Sequence, residues 1–187
     1  MKQDNELLDL KIYKDFWSQK ILDILDEKIN DFNQNKLNLN VQYTKWNYNV
    51  ILDSSAILIS DFSNDSEFIQ IIKKELDKIY DTSKLRYFEC GLHFLFKGAY
   101  VPWHDDGGCI FSCTTYLNKE EWNWNWGGAL MYQRDKMGGV DAIFPEYNKM
   151  VAGYNGVKHS TSILSPSSAP RVSLQIFSSE DESYPYK

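Results

Sequence analysis

Residues 100–117 read YVPWHDDGGCIFSCTTYL. Two short apolar runs flank a polar turn that carries a histidine, two aspartates and two glycines. Runs of this length, rich in Val, Ile, Phe, Tyr and Thr and bounded by turn residues, read as strands rather than helices. The pattern repeats from about residue 85 onward, where LRYFECGLHFLF, GALMY, VDAIF, KMVAGY, HSTSIL and RVSLQIF stand between clusters of Gly, Asn, Pro and Ser. So many short strands in about a hundred residues predict a β-sandwich or small barrel.

Upstream the period changes. Tyr13, Phe16, Trp17, Ile21, Ile24, Leu25, Ile29 and Phe32 recur at helical spacing over residues 13–32, which predicts an amphipathic helix. Phe68, Ile71, Ile72, Leu76 and Ile79 predict a second one over residues 66–80. Between them, VILDSSAILIS at 50–60 reads as two short strands around Asp53-Ser54-Ser55. The expected organisation is one domain over 1–187. Helices and supporting strands fill 1–84, a β core fills 85–178, and 179–187 form a polar tail.

A chain of 187 residues, 43% hydrophobic and 25% charged, is long enough to bury a real core and is not of disordered composition. Its net charge of -6 comes without a basic block, so neither nucleic acid nor an anionic membrane is an expected partner. No stretch approaches membrane-spanning length. Cys90, Cys109 and Cys113 are odd in number and form no CxxC. A disulfide framework or zinc knuckle is not expected, and a reducing, cytoplasmic setting is.

The histidines are His93, His104 and His159. On an extended strand, positions i and i+2 share a face, so His104 and Asp106 would point one way and Asp105 the other, into solvent. Gly107 and Gly108 would let the chain turn beside them. His159 opens HSTSIL, far away in sequence, yet distant strands of a sandwich can be neighbours. Two imidazoles and a carboxylate form the facial metal triad of non-haem Fe(II) enzymes, although zinc accepts the same ligands. His93, within GLHFLF, reads as a packed or surface strand histidine. Arg171 follows His159 after the loop SPSSAP. If the two strands pair as a hairpin, Arg171 enters the same cavity and offers a bidentate site for a carboxylate. Ser173 shares its face. A metal with open positions and a guanidinium behind it would suit a 2-oxo diacid.

These pieces together resemble the 2-oxoglutarate- and Fe(II)-dependent oxygenases, in their prolyl-hydroxylase-like branch. The carriers are His104-x-Asp106, TTYLNKEEW with GGALMY after it, His159 and Arg171, over about residues 84–178. The resemblance implies a double-stranded β-helix, the cupin-like jelly roll, with N-terminal helices outside it. It implies Fe(II) on His104, Asp106 and His159, and 2-oxoglutarate held by Arg171 and Tyr116, with Leu130 lining the pocket. It further implies O₂ as co-reactant, ascorbate as an accessory, release of succinate and CO₂, and a prolyl residue of a peptide or protein as substrate. A free amino acid or other small molecule stays open as substrate. Related halogenases replace the carboxylate ligand, so Asp106 favours hydroxylation. One departure stands out: where many prolyl hydroxylases carry a tyrosine three residues before a glycine, this chain has Leu95 before Gly98, and Tyr100 stands nearby. Two other readings remain at this point, a non-catalytic metal-binding jelly-roll module and a zinc hydrolase. The run Trp122-Asn123-Trp124-Asn125-Trp126 would either grip a ligand or cover the barrel. Phe177 would line the substrate side, and Cys109 would be a small buried hydrophobe near the metal.

Overall fold

The computed structural model describes residues 10–34, 41–44, 57–134, 138–153 and 156–182. In chain order its elements are β1 (Lys11–Tyr13), α1 (Gln19–Gln34), β2 (Val41–Thr44), β3 (Ile57–Asp61), α2 (Ser66–Leu76), β4 (Tyr87–Leu95), β5 (Val101–His104) and β6 (Phe111–Tyr116). They continue with β7 (Leu130–Gln133), β8 (Val140–Ile143), β9 (Met150–Gly153), β10 (His159–Thr161) and β11 (Arg171–Ser179). The strands form two antiparallel sheets. The major sheet has the order β1-β9-β6-β11-β4-β3-β2, and the minor sheet the order β5-β10-β7-β8.

From β4 to β11 the chain alternates between the sheets, apart from the β7–β8 hairpin. This winding is the expected jelly roll. It explains how residues far apart in sequence meet: β5 finds its partner in β10, with His104 opposite His159.

Period-2 alternation gives the major sheet two unlike faces. Cys90, Leu92 and Phe94 of β4, Phe111 and Cys113 of β6, and Leu174 and Ile176 of β11 all face the helices. There they bury Ile21, Leu25 and Phe32 of α1 and Phe68, Ile72 and Leu76 of α2. Each fully buried Leu, Ile or Phe contributes about 1.5–3 kcal/mol, so this layer holds the helices as buttresses. The Phe32 and Phe94 rings stack across the joint. The helix period places these contacts, and Asp65 starts α2 by accepting a hydrogen bond from the Phe68 amide at 3.1 Å. Lys28 of α1 pairs with the same carboxylate at 3.1 Å.

The N-terminal helix begins later than the apolar spacing predicts. Residues 11–13 are strand β1, paired with β9. Asp15 then takes φ 51°, a left-handed conformation that ends extended structure. Trp17 is fixed by tertiary bonds: its amide donates to Asn148 Oδ1 at 3.0 Å and its indole to Thr115 Oγ1 at 2.8 Å. Tyr13, Phe16 and Trp17 are core residues as their apolarity suggests, but a strand and a turn carry them there. Of the two strands expected around Asp53-Ser54-Ser55, the second is β3; the first and the turn lie outside the described residues. So does the end of the expected polar tail, residues 183–187.

A second difference concerns the last two strands. β10 and β11 do not form a hairpin, because β10 lies in the minor sheet and β11 in the major one. Leu164, fully buried in the inner apolar cluster, ties the connecting loop down. Its amide donates to the Ala99 carbonyl and its own carbonyl accepts from Gly98. The loop therefore crosses between sheets, and Arg171 approaches the interior from the layer opposite His159. Among the described residues no helix is long and apolar enough to cross a membrane.

Candidate active site

The inner face of the major sheet looks toward the minor sheet, and the two layers enclose the site. His104 ends β5 and His159 begins β10, side by side with ring centroids 4.1 Å apart. Asp106 joins them by a route that strand alternation does not describe. β5 ends at His104, and Asp106 lies beyond it with φ 57°, followed by Gly107 at φ 59°. Aspartate is one of the few side chains that tolerate this region. Asp105 steadies the turn by accepting the Gly107 amide at 3.1 Å; it is half-buried. The turn, not a shared strand face, swings the Asp106 carboxylate back over both rings.

Asp106 Oδ1 is 3.2 Å from His104 Nε2, and Oδ2 is 3.7 Å from His159 Nε2. Ligand atoms of all three residues lie within 4.8 Å of one another. Two ligands at right angles on a metal with bonds of about 2.1 Å stand about 3 Å apart, so little movement would close this set on an ion. The other imidazole nitrogens fix the tautomers. His104 Nδ1 lies 2.8 Å from the Pro102 carbonyl, and His159 Nδ1 lies 2.8 Å from the Val157 carbonyl. A carbonyl only accepts, so each Nδ1 carries the proton; each Nε2 would turn a lone pair to a metal once the ion took the place of the proton that His104 shares with Asp106.

The charges agree. Burial, with His104 nearby, pushes His159 below its usual value despite Asp106. Burial works against His104 too, yet the hydrogen bond and charge of Asp106 outweigh it and hold that imidazole above its usual value. Burial would raise Asp106, but His159, His104 and the Ser112 hydroxyl overcome it and keep the carboxyl low, hence ionised at neutral pH. The carboxylate collects positive charge, which is what a metal ligand does.

Arg171 enters from β11, 1% exposed. Its guanidinium carbon is 5.0 Å from the centre of the Tyr116 ring. Two polar atoms in this pair, Arg171 Nε and Tyr116 Oη, are buried and make no well-formed hydrogen bond among the described residues, though the guanidinium and the Leu130 backbone lie near enough to act on the phenol. Burial raises the Tyr116 phenol, and the neighbouring guanidinium partly offsets it. Ser173, also fully buried, accepts from Gln175 Nε2 at 3.1 Å, which leaves its own proton for another acceptor. Leu130 packs on Tyr116 with Ile143 and Val151.

Gly128, of GGALMY, makes room for the guanidinium stem. A Cβ there would sit 3.3 Å from Arg171 Cδ and 3.1 Å from Leu164, and the residue has φ +67°. The tryptophan run divides its roles. Trp122 is buried in the inner cluster with Leu95 and Leu164, and it donates to the Gly127 carbonyl at 3.0 Å. It would lie 3.3 Å from a Gly128 Cβ, so it closes the cavity beneath Arg171. Trp124 is 73% exposed and stacks on Phe144. Leu95 joins the apolar wall instead of offering a hydroxyl. Cys109 is buried, its thiol donating to the Phe111 and Ser178 carbonyls; burial and the Asp106 charge push it up to about 12.

Two residues of the cavity face are not singled out by the sequence reading in the place they take. His93, for which packed and surface positions were both open, is buried and faces the cavity, where burial and Arg171 drive its pKa down to about 3. Glu89 faces the same way. The signal was in β4 itself: Tyr87, Glu89, Gly91 and His93 alternate with Phe88, Cys90, Leu92 and Phe94, a polar face against an apolar one.

No family model and no curated protein sequence matches the chain. Solved structures do. A Pseudomonas putida prolyl-4-hydroxylase is 16% identical with a TM-score of 0.62, covering 92% of each chain. A Trichoplax adhaerens prolyl hydroxylase, in complex with a hypoxia-inducible-factor oxygen degradation domain peptide fragment, is 15% identical with a TM-score of 0.71, over 91% of this chain and 83% of that one. A Burkholderia pseudomallei oxidoreductase of the 2OG-Fe(II) oxygenase family is 12% identical with a TM-score of 0.67, over 92% and 85%. The chain has the 2OG-Fe(II) oxygenase fold. At such identities the likeness concerns the path of the backbone, so the chemistry of this oxygenase-fold protein is argued from its own side chains.

Proposed function

We propose that this protein is a 2-oxoglutarate- and Fe(II)-dependent oxygenase, and that it hydroxylates an unactivated C–H bond of a prolyl residue in a peptide or protein. The observation that carries the reading is the buried Arg171 guanidinium against the Tyr116 phenol, whose Nε and Oη make no well-formed hydrogen bond among the described residues, set in the layer facing His104, Asp106 and His159. A buried guanidinium without an anion is unfavourable, and a diacid supplies that anion. A carboxylate offers about four lone-pair sites. Arg171 can fill two, Tyr116 one and Ser173 one.

His104, Asp106 and His159 would hold Fe(II) on one side and leave its remaining positions open. Bound there, iron and the keto acid supply O₂ activation and C–H oxidation, the cosubstrate leaving as succinate and CO₂. The chain does the rest. The Pro102 and Val157 carbonyls aim the two imidazoles, and Ser112 holds Asp106. Arg171, Tyr116 and Ser173 orient the diacid, while Leu130, Ile143 and Val151 keep water from that end. Ascorbate would keep the iron divalent. The prolyl substrate is supported by the fold shared with prolyl hydroxylases.

Anaerobic Fe(II) with 2-oxoglutarate tests the site directly. The wild-type protein should develop a weak visible charge-transfer band, and Asp106→Ala should not. Substrate-stimulated succinate formation should vanish in the same variant. A protein that binds metal but shows neither band nor succinate would be a jelly-roll binding module instead.

A further inference from the structure

The register of β4, β11 and β6 lays the inner face out in rows. Leu95 lies beside Arg171 at the deep end; then come His93, Ser173 and Tyr116; then Gly91, Gln175 and Thr114; and last Glu89, Phe177 and Ser112. The last row stands by the metal triad, because the Ser112 hydroxyl holds Asp106. With strands about 4.8 Å apart, Glu89 stands about 10 Å from Ser112, across the Phe177 ring.

None of the roles assigned above uses Glu89. Its carboxylate accepts a hydrogen bond from Tyr87 Oη at 2.6 Å. Burial, and beyond it the Asp61 charge, make ionisation harder, and the Tyr87 bond offsets them only in part; among the described residues no ion pair to Glu89 forms. The walls beside it are aromatic: Phe177 on the next strand, its ring 6.3 Å from His93, and Tyr87 on its own. His93 stays neutral, so the wall between this row and Arg171 brings no positive charge. A partly buried carboxylate between aromatic faces is a site for a cation, which gains both ion pairing and ring contact.

We infer that Glu89, flanked by Phe177 and Tyr87, recognises the substrate, and that the substrate carries an ammonium or guanidinium group within about 10 Å of the oxidised carbon. This rests on the oxygenase reading. It narrows the substrate to a cationic one: on the prolyl reading a peptide with lysine or arginine beside the oxidised proline, and otherwise a peptide oxidised at lysine or arginine itself or a free amine.

A pentapeptide library randomised at every position, and separately L-lysine, L-arginine and putrescine, are incubated with the protein, Fe(II) and 2-oxoglutarate. Products that gain one oxygen are sequenced by mass spectrometry. Oxidised peptides should carry Lys or Arg at or next to the oxidised residue several times above background; if free amines are the source, they alone gain oxygen. Glu89→Gln should lower the yield of cationic products at least tenfold, and Glu89→Lys should move selection toward Asp and Glu. Both variants should retain the anaerobic absorption band, so that lost product is not a lost metal pocket. Oxidised peptides without a Lys or Arg excess, an excess that survives Glu89→Gln, a band lost in that variant, or no oxidised product from either set overturns the inference. A wild-type protein without the band removes the oxygenase reading and this inference with it.

Discussion

Taking the protein from pH 7 to pH 5 should cost it about 2 kcal/mol through one side chain, His93. The imidazole is 3% exposed, and burial together with the Arg171 charge lowers its pKa from 6.5 to about 3. The folded state therefore refuses a proton that the unfolded chain accepts. Above pH 6.5 both states are neutral and the group costs nothing. As the pH falls below 6.5 the unfolded chain protonates alone, stability declines, and the loss is complete only near pH 3. At pH 5 the gap of about 1.5 pH units, at about 1.36 kcal/mol each, gives about 2 kcal/mol. Urea denaturation of wild type and His93→Gln at pH 7, 6 and 5 isolates the effect, since carboxylates common to both cancel. The difference between the two proteins should shift by about 2 kcal/mol across the range, in favour of the variant at low pH. Parallel stability curves would refute the burial of a neutral His93 imidazole.

Removing the anion site should act on ligand affinity before anything else. Arg171→Met should weaken 2-oxoglutarate binding by about 2–5 kcal/mol, some 30-fold or more, and Tyr116→Phe by about 1 kcal/mol, read by calorimetry with Mn(II) in place of iron. Gly128→Ala should lower the melting temperature and weaken the same binding, because its Cβ meets Leu164, Arg171 and Trp122 at 3.1–3.3 Å in a left-handed backbone; an unchanged melting curve would mean that the guanidinium stem has slack. Cys109, held near 12 by burial and the Asp106 charge, should resist iodoacetamide at pH 8 in the folded protein and react after unfolding, as mass spectrometry of the labelled peptide will show.

The β core was legible because its strands are short, β-rich and punctuated by turn residues; its jelly-roll winding was implied by the resemblance that the order His104, Asp106, His159 and Arg171 carries, and that order pointed to one site. Strand alternation and a terminal hairpin do not account for that meeting. Asp106 reaches the imidazoles through a left-handed turn, and no periodicity rule describes a single residue of that kind. Arg171 arrives from the opposite sheet because Leu164 pins the preceding loop, a tertiary contact that local sequence does not encode. The helical spacing of Tyr13, Phe16 and Trp17 was real but ambiguous: strand β1 and the bonds of Trp17 to Asn148 and Thr115 bury the same residues without a helix. Glu89 and His93 were hidden by their setting, since a run as apolar as ECGLHFLF reads as core until its two faces are separated.

The imidazoles hang from one layer of the sandwich and the guanidinium from the other. A ligand gripped at both ends would be a tie-beam, and the gap between the layers would act as a gauge of its length. A diacid one carbon too short would reach one anchor and miss the other, so the spacing of two sheets, more than any single contact, would decide which keto acid the protein accepts.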